Sequence, residues 1–190
     1  MRLSPPRTWS ALLAAVAGLM MAGSIAFAQE GTNSKNLIIN GTFEKGMEGW
    51  TFDPHGKKGT ATVDQNEKHL NRPSLRIDNT EPDDSHIKQK VTVEPETRYR
   101  LEAYIKTKDV LPAKRDSRGG ACIDLEGTWQ TSQKVSKTHS WTKVSHDIVT
   151  GSETEVEIGG RLGFWSDACA GTAWFADFTL VKIGKAPPRK

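Results

Sequence analysis

The chain has 190 residues, with 26 Lys and Arg against 23 Asp and Glu, so its formal net charge is only +3. Its basic residues are scattered, which argues against a nucleic acid as the partner, because phosphate binding needs a clustered basic surface. The length is sufficient for one domain with a sizeable hydrophobic core.

The N-terminus has the layout of a secretory signal peptide. Arg2 and Arg7 precede an apolar stretch over 11–22, and Ala26-Phe27-Ala28 follows. This order predicts cleavage after Ala28, which gives a secreted or periplasmic protein with no membrane association after processing. An uncleaved membrane anchor is the alternative, but the apolar run is short for a bilayer span of about 20 residues. Removal of residues 1–28 takes away two arginines and leaves the mature chain close to neutral.

Several segments alternate apolar and polar residues with a period of two, which is typical of strands with one buried face. Turn-forming residues separate these segments, and no long stretch has a helical period. Many short strands at this spacing predict an all-β fold, an antiparallel β-sandwich or barrel. We expect one domain over 29–183 and a flexible basic tail over 184–190. The predicted strands are 75–77, 87–93, 99–106, 121–126, 156–165 and 174–183.

The alternation also predicts which side chains face outward. If the strands 99–106, 121–126 and 156–165 share a sheet, its outer face combines aromatic rings with charged groups. Such a face suits a sugar, whose C–H surface stacks on an aromatic ring while its hydroxyls bond to guanidinium and carboxylate groups. Trp129, in the polar loop after the strand 121–126, adds a further ring. The candidate ligand-binding residues are Trp129, Trp165, Tyr104, Arg161, Arg100, Asp124 and Glu126.

Two cysteines, Cys122 and Cys169, remain after processing. In an oxidising compartment a pair of cysteines indicates one disulfide, and two buried free thiols are the alternative. A Cys122–Cys169 bridge would hold the 166–171 loop over the outer face. Trp129 and Trp165 are the preferred sugar platforms, although they could instead pack against each other over the bridge.

Motifs for a nucleophile, a zinc-dependent protease or a phosphate loop are missing from the sequence. Carboxylate pairs such as Asp124 and Glu126, two apart on one strand face, could in principle perform glycoside acid–base chemistry, but such pairs are common in solvated sheets. A non-catalytic protein is therefore expected, with a small glycan-acting enzyme as an alternative. Five histidines have no metal-binding spacing and are predicted to be solvated: His55, His69, His86, His139 and His146.

A set of motifs in fixed order resembles the cellulose-binding (family 4, 9 and 22) carbohydrate-binding modules. The matching region begins with Asn36-Leu-Ile-Ile-Asn-Gly-Thr-Phe-Glu44, which matches a strand ending in N-G-x-F-E, and Gly49-Trp50 follows. Each motif alone is weak, but the ordered set extends from residue 36 to 183. The later matching segments are 73–77, 91–106, 141–144 and 174–180.

The resemblance implies a galactose-binding-like jelly roll that binds a polysaccharide or oligosaccharide without catalysis, and we expect a monomer. It also implies a structural Ca²⁺, because oxygen ligands from distant segments suit this ion. The matching ligands are the carboxylates of Glu44 and Asp177, the carbonyl of Thr42 and a carbonyl near Arg72. Alternatively, these acids are solvated surface residues. A structural or protein-binding accessory domain of the cell envelope is the alternative function.

Overall fold

The computed structural model describes residues 35–114 and 119–188. The predicted signal peptide over 1–28 and the last two residues of the predicted tail lie outside these ranges. Within them the regular elements are all strands. No helix in this part of the chain is long and apolar enough to cross a membrane.

Nine antiparallel strands form two sheets in the described residues. The four-stranded sheet has the order β1-β4-β8-β6, and the five-stranded sheet has the order β2-β3-β9-β5-β7. The predicted antiparallel sandwich of jelly-roll type is confirmed. The strands are β1 (Thr51–Pro54), β2 (Gly59–His69), β3 (Arg72–Asp83), β4 (Ser85–Thr92), β5 (Thr97–Pro112), β6 (Ala121–Leu125), β7 (Lys137–Val149), β8 (Glu155–Leu162) and β9 (Cys169–Lys185).

The strands that period-two alternation missed are all edge strands. β1 lies at one edge of the four-stranded sheet, and β2 and β7 are the two edges of the five-stranded sheet. An edge strand has one neighbour and buries less of its surface, so its sequence needs less strict alternation. The polar stretch 64–69 in β2 is explained by the position of this strand at the edge of the sheet. β9 also continues to Lys185, two residues past the predicted end of the domain at residue 183.

The core lies between the sheets and is completed by the segment that precedes β1. This segment, 36–50, contains turns and no strand, so the opening strand expected from the family resemblance is not formed. Phe43 is fully buried and packs its ring 5.4 Å from Trp50 and 6.1 Å from Phe178. The Asn36 carboxamide binds the backbone of both Ile38 and Leu180, which ties the segment to β9.

The strands predicted to share one face are divided between the two sheets. β5 belongs to the five-stranded sheet, whereas β6 and β8 are neighbours in the four-stranded sheet. Tyr104 and Arg100 therefore lie on a different face of the sandwich from Asp124 and Arg161. The condition that the three strands share a sheet is not met, so the predicted single outer face is wrong, because alternation gives the direction of a side chain but not the sheet in which its strand lies.

The predicted disulfide is not formed in the structure. Cys122 and Cys169 are free thiols, and both are completely buried. Cys122 is on β6 of the four-stranded sheet, whereas Cys169 begins β9 of the five-stranded sheet. Burial raises the pKa of both thiols, that of Cys169 to about 12, so neither forms a reactive thiolate at neutral pH.

This arrangement can be checked by counting thiols. We expect Ellman's reagent to detect both cysteines of the chain after unfolding in guanidinium chloride without reductant. In the native protein neither should react within the time of the assay, because both side chains are inaccessible. A protein that shows no reactive thiol even when unfolded would contain the bridge instead.

Candidate functional site

A cluster of charged side chains lies on the outward side of the four-stranded sheet. His86 on β4 faces Arg161 on β8 in register, and Asp124 on β6 pairs with Gly159, which also lies on β8. A Cβ atom at Gly159 would lie 2.3 Å from His86 Nε2, so only glycine leaves room for the imidazole against β8. His86, Asp124 and Arg161 are at most 1% exposed although they face away from the core.

Ion pairs connect these side chains with two further acids. Arg161 Nη1 lies 3.3 Å from Asp124 Oδ2, and its Nη2 lies 3.3 Å from Glu126 Oε2. Its Nε lies 3.2 Å from Oδ1 of Asp84, which precedes β4. Oxygens of Asp124 and Glu126 lie 2.9 and 3.2 Å from the two ring nitrogens of His86. We call Asp84, His86, Asp124, Glu126 and Arg161 the buried charge network.

The charges of the network stabilise one another. Burial has the largest effect on the pKa of His86 and lowers it, but contacts with Asp124 and Glu126 outweigh burial, and the pKa is raised. The His86 contact is the main cause that lowers the pKa of Glu126, to about 2. The network therefore combines a protonated imidazole and a guanidinium with three acids, two of them, Asp84 and Asp124, almost inaccessible to water.

The same residues include a possible cation site. One ligand atom from each of His86, Asp124 and Glu126 lies within 4.8 Å of the others. However, the Arg161 guanidinium contacts both carboxylates at 3.3 Å and offsets part of their charge, and the His86 imidazole contacts them as well. A divalent ion here would be placed beside that guanidinium, which would repel it. The arrangement favours a network of ion pairs over a metal site.

Two exposed tryptophans lie above the network. Trp129 follows β6 and is 76% exposed, and Trp165 follows β8 and is 45% exposed. The rings meet with centroids 5.4 Å apart and planes inclined by 37°. The Arg161 guanidinium lies 5.2 Å from the Phe164 ring and 5.8 Å from the Trp165 ring. We call Trp129, Phe164 and Trp165 the aromatic patch.

Asp84 connects the network to the patch. Its Oδ2 accepts a hydrogen bond of 2.8 Å from the backbone N–H of Trp165, while its Oδ1 pairs with Arg161. Trp165 has a left-handed backbone, with φ of 51°, which is uncommon for a bulky residue and needs support from its surroundings. Asp84 thus anchors the loop between β8 and β9 at Trp165, whereas the sequence predicted that a disulfide would hold residues 166–171.

The remaining predicted ligand residues are not part of this site. Tyr104 lies on the five-stranded sheet, where its ring stacks on His69 with centroids 3.9 Å apart. Arg100 lies on the same strand and binds both carboxylate oxygens of Asp147, at 2.7 and 3.0 Å. The structure brings together Trp129, Trp165, Arg161, Asp124 and Glu126, but Arg161 and Asp124 face one another below the surface rather than a ligand.

The proposed calcium ligands are arranged differently from what the resemblance implies. The Asp177 carboxylate accepts from Arg72 Nη2 and contacts His69 Nδ1, each at 2.5 Å. The Glu44 carboxylate accepts a hydrogen bond from the Thr42 hydroxyl at 2.8 Å and is exposed. Each Asp177 oxygen already has one nitrogen partner, so a calcium ion here would compete with the Arg72 guanidinium and His69 for this carboxylate. Calcium binding stays an untested prediction.

Sequence reasoning missed three residues of the site, namely Asp84, His86 and Phe164. His86 was predicted to be solvated, but it is fully buried, and His69 is bonded to Asp177. The alternation of β4 contained the relevant signal. Ile87 is inward, so His86 and Lys88 must share the outward side with Arg161 and Asp124. What alternation could not show is that the two tryptophan loops cover this side.

Comparison with known proteins identifies the class of this sandwich and its family. A family model described as a carbohydrate binding domain matches residues 35–159, and the chain therefore belongs to that family. The motif resemblance found in the sequence is confirmed. No curated protein matches the chain.

Solved structures with similar folds include modules from several proteins. TmCBM61 in complex with beta-1,4-galactotriose has a TM-score of 0.53 and 19% identity over 79% of this chain and 100% of its own. The CBM22-1 xylan-binding domain of Paenibacillus barcinonensis Xyn10C has a TM-score of 0.54 and 13% identity over 80% and 97%. The enzymatically active domain of bacteriophage CBA120 tailspike protein 4 has a TM-score of 0.58 and 13% identity over 78%, but this chain spans only 21% of its length. At these identities the likeness shows the fold alone.

The network makes stability depend on His86. We expect His86→Gln to reduce the free energy of unfolding by about 3–5 kcal/mol, because it leaves buried acids without their partner. A raised pKa in the folded state stabilises the protein fully below the unfolded pKa of about 6.5, and this stabilisation is lost as the pH rises through the folded value. Denaturant titrations from pH 6 to 9 should therefore show a decline for the native protein that the variant lacks.

His139→Gln is a matched control, since His139 is exposed on β7. It should leave both the stability and its pH dependence unchanged. Equal pH profiles for the native protein and the His86 variant would contradict the charged state assigned to the network.

Calcium can be tested through thermal stability. Because Arg72 and His69 already bind Asp177, we expect the Tm to be the same in millimolar CaCl₂ and in EDTA. Asp177→Asn should lower the Tm in both solutions, since it weakens these two contacts. A Tm that rises with calcium in the native protein, but not in this variant, would show that Asp177 turns from its partners to the ion.

Proposed function

We propose that this protein is an exported, non-catalytic module that binds a polysaccharide or oligosaccharide through the aromatic patch. The observation that carries the proposal is the exposure of Trp129 and Trp165 directly above a rigid, buried charge network. Exposed tryptophan rings on a water-soluble protein are unfavourable unless they serve a binding surface. Membership of a carbohydrate-binding family makes a sugar the matching ligand.

The patch provides stacking, and the polar groups at its margin provide hydrogen bonds. A pyranose stacks its C–H face on Trp129 or Trp165, as apolar surfaces stack on aromatic rings. Glu126 is the network member that reaches the surface, with 23% of its side chain exposed, and it accepts bonds from sugar hydroxyls. The network holds Trp165 in place through Asp84, which reduces the ordering cost of binding.

Binding without turnover agrees with the state of the acidic residues. Glycoside hydrolysis needs one carboxylic acid that donates a proton and a second carboxylate that acts as nucleophile or base. Asp124 is fully buried beneath the patch, and Glu126 has a pKa near 2, so neither serves as a proton donor to a glycan. The signal-like N-terminus supports export, and a monomer is the simplest form of such a module.

The aromatic patch predicts the outcome of affinity electrophoresis. The secreted protein, whose N-terminal sequence would check cleavage after Ala28, is run in gels containing xylan, β-glucan, soluble cellulose, mannan or pectin. We expect retardation by one polymer, and Trp129→Ala and Trp165→Ala should each reduce it by at least about ten-fold in affinity, as loss of a central aromatic contact does.

Tyr104→Ala is the matched control, since it removes an aromatic ring from the other sheet. It should leave the retardation unchanged. Loss of retardation in this variant alone would place the ligand on the five-stranded sheet. If no polymer retards the native protein, the alternative of an envelope accessory domain with a protein partner is favoured.

A further inference from the structure

We infer that the aromatic patch takes one or two sugar units, so that the protein binds short glycan segments rather than a long chain laid along the sheet. The inference rests on the proposed function and specifies its ligand class. It follows from where the exposed rings lie and from what covers the rest of the outward face.

On the four-stranded sheet and its loops, the exposed stacking surface is confined to one place. In this described part of the chain, the exposed tryptophan, tyrosine or phenylalanine rings are those of Trp129 and Trp165. Their loops leave opposite ends of the antiparallel pair β6 and β8, and the rings meet above Arg161 with centroids 5.4 Å apart. Two rings in contact form one continuous platform, whereas a long chain would need further rings spaced along its path.

The face beyond the platform offers ion pairs in place of rings. Lys88 Nζ lies 3.3 Å from Asp53 and 3.9 Å from Glu157, and Lys90 lies 3.4 Å from Glu155. A sugar hydroxyl that binds here replaces an existing partner or water, and such exchanges contribute little net free energy. Units beyond the platform therefore add little affinity.

The deeper part of the face is also closed to a chain. His86, Asp124 and Arg161 are at most 1% exposed, and their polar groups are directed toward one another. The loops that carry Trp129 and Trp165 meet above these residues and cover the half of the sheet that β6 and β8 form. The remaining accessible half, on β1 and β4, has the paired charges just described.

The test is a chain-length series measured by calorimetry with the purified protein. The probes are β-1,4-linked glucose, xylose, mannose and galactose oligosaccharides, from the monosaccharide to the hexasaccharide. We expect the Kd of the series that binds to fall by no more than about five-fold between disaccharide and hexasaccharide, because added units meet no new platform and contribute only the five overlapping positions in which a two-unit site can be filled. A Kd that falls by about ten-fold or more over this range would show an extended site and overturn the inference.

Two variants separate the platform from the rest of the face. Lys88→Met keeps the aliphatic stem but removes the charge beside the network, and Lys90→Ala truncates an exposed member of the pair with Glu155. Both should bind the hexasaccharide as tightly as the native protein does. Weaker binding of the hexasaccharide but not of the disaccharide in either variant would overturn the inference while leaving the proposed function intact. No binding of any series would remove both.

Discussion

The arrangement of charged side chains on the outward side of the four-stranded sheet depends on the buried charge of Arg161, which needs acidic partners. A guanidinium that is 1% exposed would destabilise the fold without partners, because burying an unpaired charge costs several kcal/mol. Asp84, Asp124 and Glu126 each contact it, and His86 is placed between the last two. These contacts come from the strands β4, β6 and β8 and from Asp84 and Glu126, which directly precede β4 and follow β6, so they fix the relative positions of the three strands. The sheet is therefore held by apolar packing on one side and by charge on the other.

This division explains how a surface rich in aromatic rings remains ordered. Trp165 lies on a short loop in a left-handed conformation, and a flexible loop would lose much of its entropy on binding a ligand. The hydrogen bond from the Trp165 backbone to Asp84 orders the loop when the protein folds, so less entropy is lost when a ligand binds. The five-stranded sheet presents a contrast. On that sheet Trp174 is only 7% exposed, because Arg76 and Lys106 cover its ring. The Trp174 ring therefore contributes to the fold rather than to a platform.

The limits of sequence reasoning follow from particular residues. Central strands such as β5 were found because Leu101, Ala103 and Ile105 alternate strictly against a core that covers one whole side. β2 and β7 were missed because edge strands need less alternation. Trp129 and Trp165 were predicted to be sugar platforms, with packing against each other as the alternative, and in the structure the two rings are exposed and in contact. The predicted disulfide is not formed, since no spacing predicts whether two thiols come within bonding distance. The burial of His86 was not predicted, because the two tryptophan loops that cover it are distant from it in the sequence.

The position of β9 has a consequence for how the chain acquires this structure. β9 lies between β3 and β5 and is the last of the described strands to be synthesised, so the five-stranded sheet lacks its central member until residues 169–185 have been made. Asn36 and Leu37, near the start of the described chain, also bond to β9. Closing such distant contacts is slow compared with local pairing. The nascent chain thus has no complete five-stranded sheet before β9 emerges, and the central pairings of that sheet form only when segments from both ends of the described chain come together.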